Sequence, residues 1–226
     1  MTDSDILKAK RAAAEKAVSY IDDNMIVGLG TGSTASYAIQ LIGQKAANGV
    51  KIQAVPTSLE TERLAKENNI PLLFEFEQID VTIDGADEVD ESGNLIKGGG
   101  GALTREKIVA AASKKEIIIV DGTKLVPTLG RFPLPVEGLP FGWKFVQKQL
   151  QSLGCEAKLR RKGEEVLITD NQNYIFDCMF NHISNPKELA MRINSIPGVV
   201  ENGLFVGLTD LVIVGRADGS TEEIRF

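Results

Sequence analysis

The chain has 226 residues with 31 acidic and 25 basic side chains, and 43% of its residues are hydrophobic, which fits one large domain or a domain with an insertion and argues against an intrinsically disordered protein. The net charge of −6 and the lack of a dense Lys/Arg run argue against a surface for nucleic acid or an anionic membrane. No apolar run approaches the roughly 20 residues that span a bilayer, and the acidic start Met1–Asp5 is unlike a signal peptide, so we expect a cytoplasmic protein.

Helices and strands alternate at short spacing through the first half of the chain. In chain order the predicted elements are helix Asp5–Tyr20, strand Met25–Gly28, a helix from the Gly30–Thr34 turn to about Ala47, strand Ile52–Val55, a helix from Ser58 to about Asn69, strand Val81–Asp84, helix Leu103–Ser113 and strand Glu116–Asp121. This alternation predicts βαβ units, and therefore an α/β protein with a mostly parallel sheet covered by helices on both faces.

The pattern changes after Lys124, where we expect Pro127, Pro133, Pro135 and Pro140 to break the chain. The predicted elements that follow are helix Trp143–Leu153, strands Glu156–Arg160, Glu165–Thr169 and Tyr174–Met179, a helix begun by Asn185–Glu188, a strand near Val199–Phe205, and strands Leu211–Val214 and Glu223–Phe226. Because the last two strands are expected to return to the first sheet, we predict one domain from 1–130 and 206–226, with an α+β domain at 131–205.

A Gly/Ser/Thr turn at Gly28–Thr34 joins the first predicted strand to the second helix. Glycines let backbone N–H groups approach an anion, and a helix N-terminus favours negative charge. A dinucleotide fingerprint is excluded because Ser33 occupies the position of its third glycine, and the lysine of a P-loop is absent as well. A site for a single phosphate and a simple packed turn are both compatible with this segment.

Six acids and no base lie within residues 80–91, around the end of the strand Val81–Asp84. Crowded carboxylates suit proton transfer, and they can also bind a divalent cation. A solvated acidic loop is the third alternative. We expect Asp84 and Asp87 to be the functional pair, because open α/β sheets bind ligands at the carboxyl ends of their strands.

Four successive glycines, Gly98–Gly101, follow Lys97 and precede Glu106 in the first turn of the next predicted helix. Glycine runs carry a large entropic cost, so we expect them to bring bare backbone up to a ligand. Glu106 can instead serve only to complement the helix dipole, a contribution of about 0.3–1 kcal/mol. Lys124, just past another strand end, adds a second cation at the same edge of the sheet.

The combined inventory favours proton transfer on a small phosphorylated, hydroxyl-rich molecule. A carboxylate would move a proton between carbons through an enediol, and a lysine would offset the oxyanion. No Ser/His pair accompanies these segments, and Cys155 and Cys178 are expected to be free, buried thiols without a catalytic role. One histidine and two cysteines also exclude a Cys/His zinc site of the usual spacing.

The segments Gly30–Thr34, Asp84–Asp90, Lys97–Gly100 and Leu103–Lys107, in this order and spacing, resemble ribose-5-phosphate isomerase of the A type, and Gly198–Phe205 extends the resemblance toward the C-terminus. The resemblance implies interconversion of ribose 5-phosphate and ribulose 5-phosphate in the non-oxidative pentose phosphate pathway, without a metal or another cofactor. It further implies a Rossmann-like catalytic domain, an α+β, ferredoxin-like lid domain, and a homodimer or dimer of dimers.

The same resemblance assigns roles to individual residues. Glu106 would be the general base, Asp84 and Asp87 would help to open the sugar ring, and Lys97 would stabilise the enediolate. The implied substrate-binding residues are Thr31, Gly32, Ser33, Thr34, Asp84, Gly85, Ala86, Asp87, Lys97, Gly98, Gly99, Gly100, Lys124 and Lys10, with Lys8 as an equally near alternative to Lys10.

Two other kinds of function are alternatives: a sugar-phosphate sensor domain, or a related sugar-phosphate deaminase or CoA-transferase-like enzyme. A sensor would need an attached DNA-binding module, for which this acidic chain leaves no room. A deaminase would be expected to use a catalytic histidine, but His182 lies in the predicted lid and matches no motif. A CoA transferase would need a glutamyl nucleophile and a larger site.

Overall fold

The computed structural model describes residues 2–226, and within that range the chain forms six α-helices and fifteen strands. The helices are α1 (Asp3–Val18), α2 (Ser33–Ala47), α3 (Leu59–Glu67), α4 (Leu103–Ala112), α5 (Trp143–Ser152) and α6 (Pro186–Asn194). The strands are β1 (Met25–Leu29), β2 (Ile52–Pro56), β3 (Val81–Asp84), β4 (Glu88–Val89), β5 (Leu95–Ile96), β6 (Glu116–Asp121), β7 (Leu134–Gly138), β8 (Glu156–Leu159), β9 (Arg161–Lys162), β10 (Glu165–Val166), β11 (Tyr174–Met179), β12 (Val199–Asn202), β13 (Leu204–Phe205), β14 (Leu211–Gly215) and β15 (Thr221–Arg225).

The chain divides into two compact units. The first unit comprises the residues up to Ala86 together with Arg105–Leu125 and Leu208–Phe226, and the second comprises Asp87–Thr104 and Val126–Gly207. The sequence-based boundaries differ from these units chiefly at 87–104, which packs with the second unit although the prediction placed it in the first. This segment supplies the two short strands β4 and β5, which sequence analysis did not predict.

The first unit is built on a six-stranded sheet in the order β15-β14-β6-β3-β1-β2. All neighbouring strands are parallel except the edge pair β14 and β15, which is antiparallel. Val27 and Leu29 of β1 join the core formed with α1 and α2, whereas Val109 of α4 packs against Val55 and Ile79 in a separate cluster. Because side chains alternate between the faces of a strand, the sheet is covered by helices on both faces, as predicted.

The second unit contains a four-stranded antiparallel sheet in the order β12-β7-β11-β8. Helices α5 and α6 bury Val146, Leu150 and Ile193 in the same core as Phe176 of β11. A three-stranded sheet, β13-β5-β4, and the hairpin β9-β10 complete this unit. The observed mixture of helices and antiparallel strands is the predicted α+β type.

The prediction that the prolines break the chain was wrong at Pro135, which lies inside the inner strand β7. Every residue of β7 is buried, and its neighbours Leu134 and Val136 place their side chains in the core. The carbonyl of Pro135 accepts a hydrogen bond from the N–H of Gly203 at 2.7 Å. The burial of Leu134 and Val136 in the core therefore outweighs the one backbone donor that proline lacks.

Most other element boundaries follow the predictions closely, although the predicted strand Glu165–Thr169 is shortened to β10, Glu165–Val166. Strands β3, β6 and β11 have the predicted bounds, whereas the predicted strand at 199–205 is divided by Gly203 into β12 and β13. Helix α1 begins two residues earlier than predicted, because Thr2 forms a capping box with Asp5. Among the described residues, no helix combines the length and apolarity needed to cross a membrane.

Candidate active site

The turn after β1 lies directly against the end of β3. The N–H of Gly30 donates to the carbonyl of Ile83 at 3.0 Å. A β-carbon at Gly30 would lie 2.1 Å from the Asp84 Oδ1 atom and 2.5 Å from its Cα atom, so only glycine fits there. Gly32 has a φ of +114° at the N-cap of α2, which again favours glycine. The glycines of this loop are thus needed for close approach to Asp84 and for the turn into the helix.

Asp84 ends the buried strand β3, and its side chain is only 1% exposed. Its Oδ1 atom accepts hydrogen bonds from the N–H groups of Thr31 at 3.1 Å and Gly85 at 2.7 Å. These two donors fix the carboxylate at the carboxyl edge of the sheet. The structure therefore brings together Asp84 and the glycine loop, which the sequence placed on one sheet edge.

Thr31 stabilises this loop through its hydroxyl group. The Oγ1 atom lies 2.8, 2.9 and 3.1 Å from the hydroxyl oxygens of Thr57, Ser58 and Thr61, respectively. Sequence analysis did not single out these three residues, although Ser58 was recognised as the start of α3. The Thr31 side chain is therefore engaged with the protein, whereas Gly32 and Ser33 are exposed.

A lysine of α1 reaches the N-terminus of α2. The Lys10 Nζ atom donates to the Ser33 Oγ atom at 2.8 Å, and Lys10 itself is half-buried, whereas Lys8 is exposed. A cation, a hydroxyl and a helix N-terminus together form an anion-binding arrangement. This contact favours Lys10 over Lys8. In the same unit, Lys124 ends the short helical turn Gly122–Lys124 that follows β6.

Glu106 lies in the first turn of α4 and is only 4% exposed. A helix-dipole role alone is typical of solvent-exposed carboxylates, so the burial of this one favours a further role. The residue belongs to the first unit, while Thr104, two positions earlier in the same helix, belongs to the second.

Asp87, Lys97 and the glycine run lie in the second unit. The N–H of Gly99 donates to the Asp87 Oδ2 atom at 2.7 Å, and a β-carbon on Gly99 would lie 2.6 Å from Oδ1. Gly98 and Gly101 have φ values of +99° and +87°, so the loop requires glycine at both positions. Gly99 and Gly100 are exposed, so their backbone is accessible, whereas the prediction that it contacts a ligand stays a prediction.

Lys97 is buried to 2% exposure, which is rare for a lysine. Its Nζ atom lies 5.4 Å from the centroid of the Phe205 ring, within reach of a cation–π interaction. Its N–H donates to the carbonyl of Gly203 at 2.9 Å, which ties β5 to the segment before β13. Desolvating an ammonium group is costly, so this burial favours a role that depends on the charge.

Sequence analysis missed two charged side chains, remote in the sequence, that bind these segments by direct hydrogen bonds. Arg160 donates from Nη1 to the carbonyls of Gly98 and Gly99, and the buried Glu137 accepts from the Thr104 hydroxyl at the start of α4. Glu137 also accepts hydrogen bonds from the side chains of Thr169, Asn171 and Asn173 at 2.8, 3.2 and 2.8 Å. The one sequence feature that could have indicated such a residue is the acidic Glu137 inside the apolar strand β7.

Four side chains that the sequence did not assign to the site have structural or surface positions. The carboxylate of Glu88 accepts from the N–H groups of Gly130 and Phe132 at 2.7 and 2.6 Å, so it holds a turn of the second unit. Cys155 and Cys178 are free and buried, as predicted, and His182 is exposed. Within residues 2–226, no three His, Cys, Asp or Glu side chains are grouped in a way that could hold a metal ion.

Comparison with known proteins gives one consistent family. The family model for ribose 5-phosphate isomerase A (phosphoriboisomerase A) matches residues 53–219. Ribose-5-phosphate isomerase A of Bacillus thuringiensis subsp. konkukian is 56% identical over 216 residues, which cover 94% of this chain and 98% of that protein. That alignment is longer than the family match, which begins after the Gly30–Thr34 turn.

Solved structures resemble the whole chain as well. A D-ribose-5-phosphate isomerase in complex with phospho-erythronic acid has a TM-score of 0.94 and 41% identity, covering 98% of this chain and 99% of that one. Ribose 5-phosphate isomerase from Plasmodium falciparum has a TM-score of 0.93 and 40% identity, with the same coverage of 98% and 99%.

Proposed function

Since the chain belongs to the ribose 5-phosphate isomerase A family, we propose that it interconverts D-ribose 5-phosphate and D-ribulose 5-phosphate by proton transfer through an enediolate. The observation that carries the proposal is the buried Asp84 carboxylate, which accepts a hydrogen bond from Thr31 of the glycine loop. Lys10 contacts Ser33 of the same loop, and together they form an anion-binding arrangement. Chemistry of this kind on a sugar phosphate requires both a phosphate-binding group and a buried carboxylate. A similar solved structure holds phospho-erythronic acid, which supports a phosphorylated sugar as the ligand here.

The proton transfer is assigned to Glu106. Its carboxylate takes the proton from C2 of the open-chain aldose, the electron pair forms a C1–C2 double bond, and O1 carries the negative charge. Glu106 then returns the proton to C1, while the O2 proton passes to O1 and leaves a ketone at C2. A positioned carboxylate contributes typically 10²–10⁴-fold to such a step.

Lys97 is assigned to the charge of the enediolate, and the pair Asp84 and Asp87 is assigned to the opening of the sugar ring. A buried ammonium is suited to stabilise the enediolate oxygen, because electrostatic interactions strengthen where water is excluded. Asp84, with Asp87, accepts and returns the hydroxyl proton that moves when the furanose ring opens. Gly85–Ala86 and Gly98–Gly100 contribute backbone groups to substrate binding.

The phosphate is assigned to the N-terminus of α2. The exposed Gly32 and Ser33, with Thr34 and the Lys10 ammonium, present donors and positive charge to an anion. Lys124 adds a second cation from the turn after β6. Thr31 contributes by holding the loop through its hydroxyl contacts.

The wider setting of the enzyme belongs to the same proposal. We assign catalysis to a Rossmann-like domain of residues 1–130 and 206–226, and a lid function to the ferredoxin-like domain of residues 131–205. The enzyme would act in the cytoplasm as a homodimer or dimer of dimers, without a metal or other cofactor. The family resemblance supports the two domain types, the oligomer and the lack of a cofactor, whereas the domain boundaries rest on the sequence pattern alone.

Incubation with ribose 5-phosphate and measurement of ketose formation test the function directly. We expect ribulose 5-phosphate to accumulate to equilibrium, and unphosphorylated ribose to react far more slowly because it lacks the anion. Binding of ribose 5-phosphate without turnover would contradict an isomerase and would indicate a sugar-phosphate sensor instead.

A further inference from the structure

The guanidinium group of Arg160, in the second unit, binds the glycine loop through its carbonyl oxygens. The Arg160 Nη1 atom donates to the carbonyl oxygens of Gly98 at 2.9 Å and Gly99 at 3.0 Å. The other edge of the same group binds Asp177 of β11, with Nε at 3.0 Å from Oδ2 and Nη2 at 2.5 Å from Oδ1. All three guanidinium nitrogens are therefore engaged, and the Arg160 side chain is only 12% exposed.

The backbone of Arg160 is fixed as firmly as its side chain. It follows β8, its N–H donates to the carbonyl of Ile175 at 2.8 Å, and its carbonyl accepts from the N–H of Leu167 at 3.0 Å. Asp177 lies in β11, paired with Lys158 of β8. The guanidinium that reaches the loop is thus held by two adjacent strands of the sheet, by β8 through the neighbouring residues of the chain and by β11 through the hydrogen bonds to Asp177.

In a trans peptide, fixing the direction of a carbonyl also fixes the direction of the next N–H group. The described chain contains no cis peptide bond, so the N–H of each residue points away from the carbonyl of the residue before it. Because Arg160 binds the carbonyls of Gly98 and Gly99, the N–H groups of Gly99 and Gly100 point away from the guanidinium. The first donates to the Asp87 Oδ2 atom at 2.7 Å, and the second belongs to an exposed residue.

We propose that Arg160, oriented by Asp177, is a positioning residue that sets the Gly98–Gly100 backbone so that the N–H of Gly100 binds a negatively charged oxygen of the sugar phosphate. This inference rests on the proposed isomerase function. Four glycines in succession have more conformational freedom than any other sequence, so a preorganised loop needs an external support. The planar arginine fork binds the two carbonyls and the carboxylate in one fixed geometry, which a lysine cannot reproduce.

The charged oxygen can belong to the phosphate or to the enediolate, and steady-state kinetics distinguish the two. Arg160→Lys keeps the positive charge but loses the fork. We expect kcat/KM for ribose 5-phosphate to fall by about 10–100-fold, because a misplacement of about 1 Å in a reacting site can cost up to about 100-fold. A rise in KM would identify the phosphate, and a fall in kcat would identify the enediolate, because only the latter charge develops in the transition state.

Arg161→Lys is the matched control. The adjacent Arg161 is exposed and donates only from the hairpin to the Glu164 carbonyl at 2.6 Å, so its variant should keep the wild-type kcat and KM. Kinetic constants of Arg160→Lys within twofold of wild type, or a lower Tm with unchanged kinetics, would overturn the inference.

Asp177→Asn keeps the test decisive if the first variant fails to fold. It retains the arginine but weakens the pair that orients it, and we expect a smaller fall of about 3–10-fold in kcat/KM. Unchanged kinetics in a folded Asp177→Asn protein would again overturn the inference. An inactive wild-type protein would refute the proposed function, whereas an active wild type with unaffected variants would refute only the role of Arg160.

Discussion

Replacement of Glu106 by Gln tests the assignment of the catalytic base. Glu106 is only 4% exposed in the first turn of α4, and the amide has nearly the same volume as the carboxyl, so the helix and its surroundings should remain folded. A general base is worth typically 10²–10⁴-fold, which corresponds to about 2.7–5.4 kcal/mol in the activation free energy. We therefore expect kcat to fall by that factor while KM stays within a few-fold of wild type.

A pure helix-dipole role predicts a different result for the same variant. Loss of a charge near a helix N-terminus costs about 0.3–1 kcal/mol of stability, a shift of a few degrees in Tm, and leaves kcat unchanged. Glu188→Gln in the first turn of α6 is the matched control, since it removes an equivalent charge outside the proposed site. Ketose formation at saturating substrate gives kcat for each protein. Turnover of Glu106→Gln within threefold of wild type would refute the assignment.

Three further predictions concern the phosphate, the metal and the acid stability. Lys10→Met should raise KM about 10-fold, the scale of one charge-assisted hydrogen bond, while Lys8→Met leaves it unchanged; equal effects would contradict the phosphate assignment. EDTA should leave activity intact, and a loss that Mg²⁺ restores would make the site carboxylates metal ligands. The Tyr20 hydroxyl and the Lys16 ammonium lower the pKa of Glu223 to about 2, so its stabilisation is complete above about pH 4.5 and is lost as the pH falls toward 2. Urea unfolding should therefore show that the free energy of unfolding falls by up to about 1 kcal/mol more in wild type than in Glu223→Gln between pH 5 and 2. Equal decreases in the two proteins would refute this.

The part of the fold that sequence analysis predicted best is the parallel sheet. Strands such as β6 contain a continuous apolar run, here Ile117–Val120, and a fully buried strand needs no alternation to be recognised. The rule that ligands bind at the carboxyl ends of parallel strands then placed Asp84 beside the first glycine loop. The hydrogen bond from Thr31 to Asp84 confirms that proximity.

The second unit was harder to predict because its determinants are not local. Pro135 appeared to exclude a strand, yet β7 is central to its sheet because burial of its neighbours outweighs one missing donor. Arg160 lies 61 residues from Gly99, and no spacing in the sequence connects an arginine just after a strand with a loop that far away. Its function as a support becomes visible only when the donors and acceptors are placed in space.

Glu137 is a residue whose burial, but not whose partners, could have been predicted from the sequence. An acid within the apolar segment Leu134–Gly138 is unusual, since a buried carboxylate requires hydrogen-bond donors. Its donors come from Thr104 and from the segment Thr169–Asn173, which are remote in the sequence. Sequence analysis could have identified this residue as buried, but not the start of α4 as one of its partners.

Hydrogen exchange during turnover tests the central claim, an enediolate formed by carboxylate-mediated proton transfer. The enzyme is incubated with ribose 5-phosphate in D₂O, and the product is analysed by proton NMR. The account predicts deuterium at C1 of ribulose 5-phosphate, and with prolonged interconversion at C2 of ribose 5-phosphate, because the proton carried by Glu106 exchanges with solvent. Ketose formed by repeated turnover without any deuterium at C1 would contradict it.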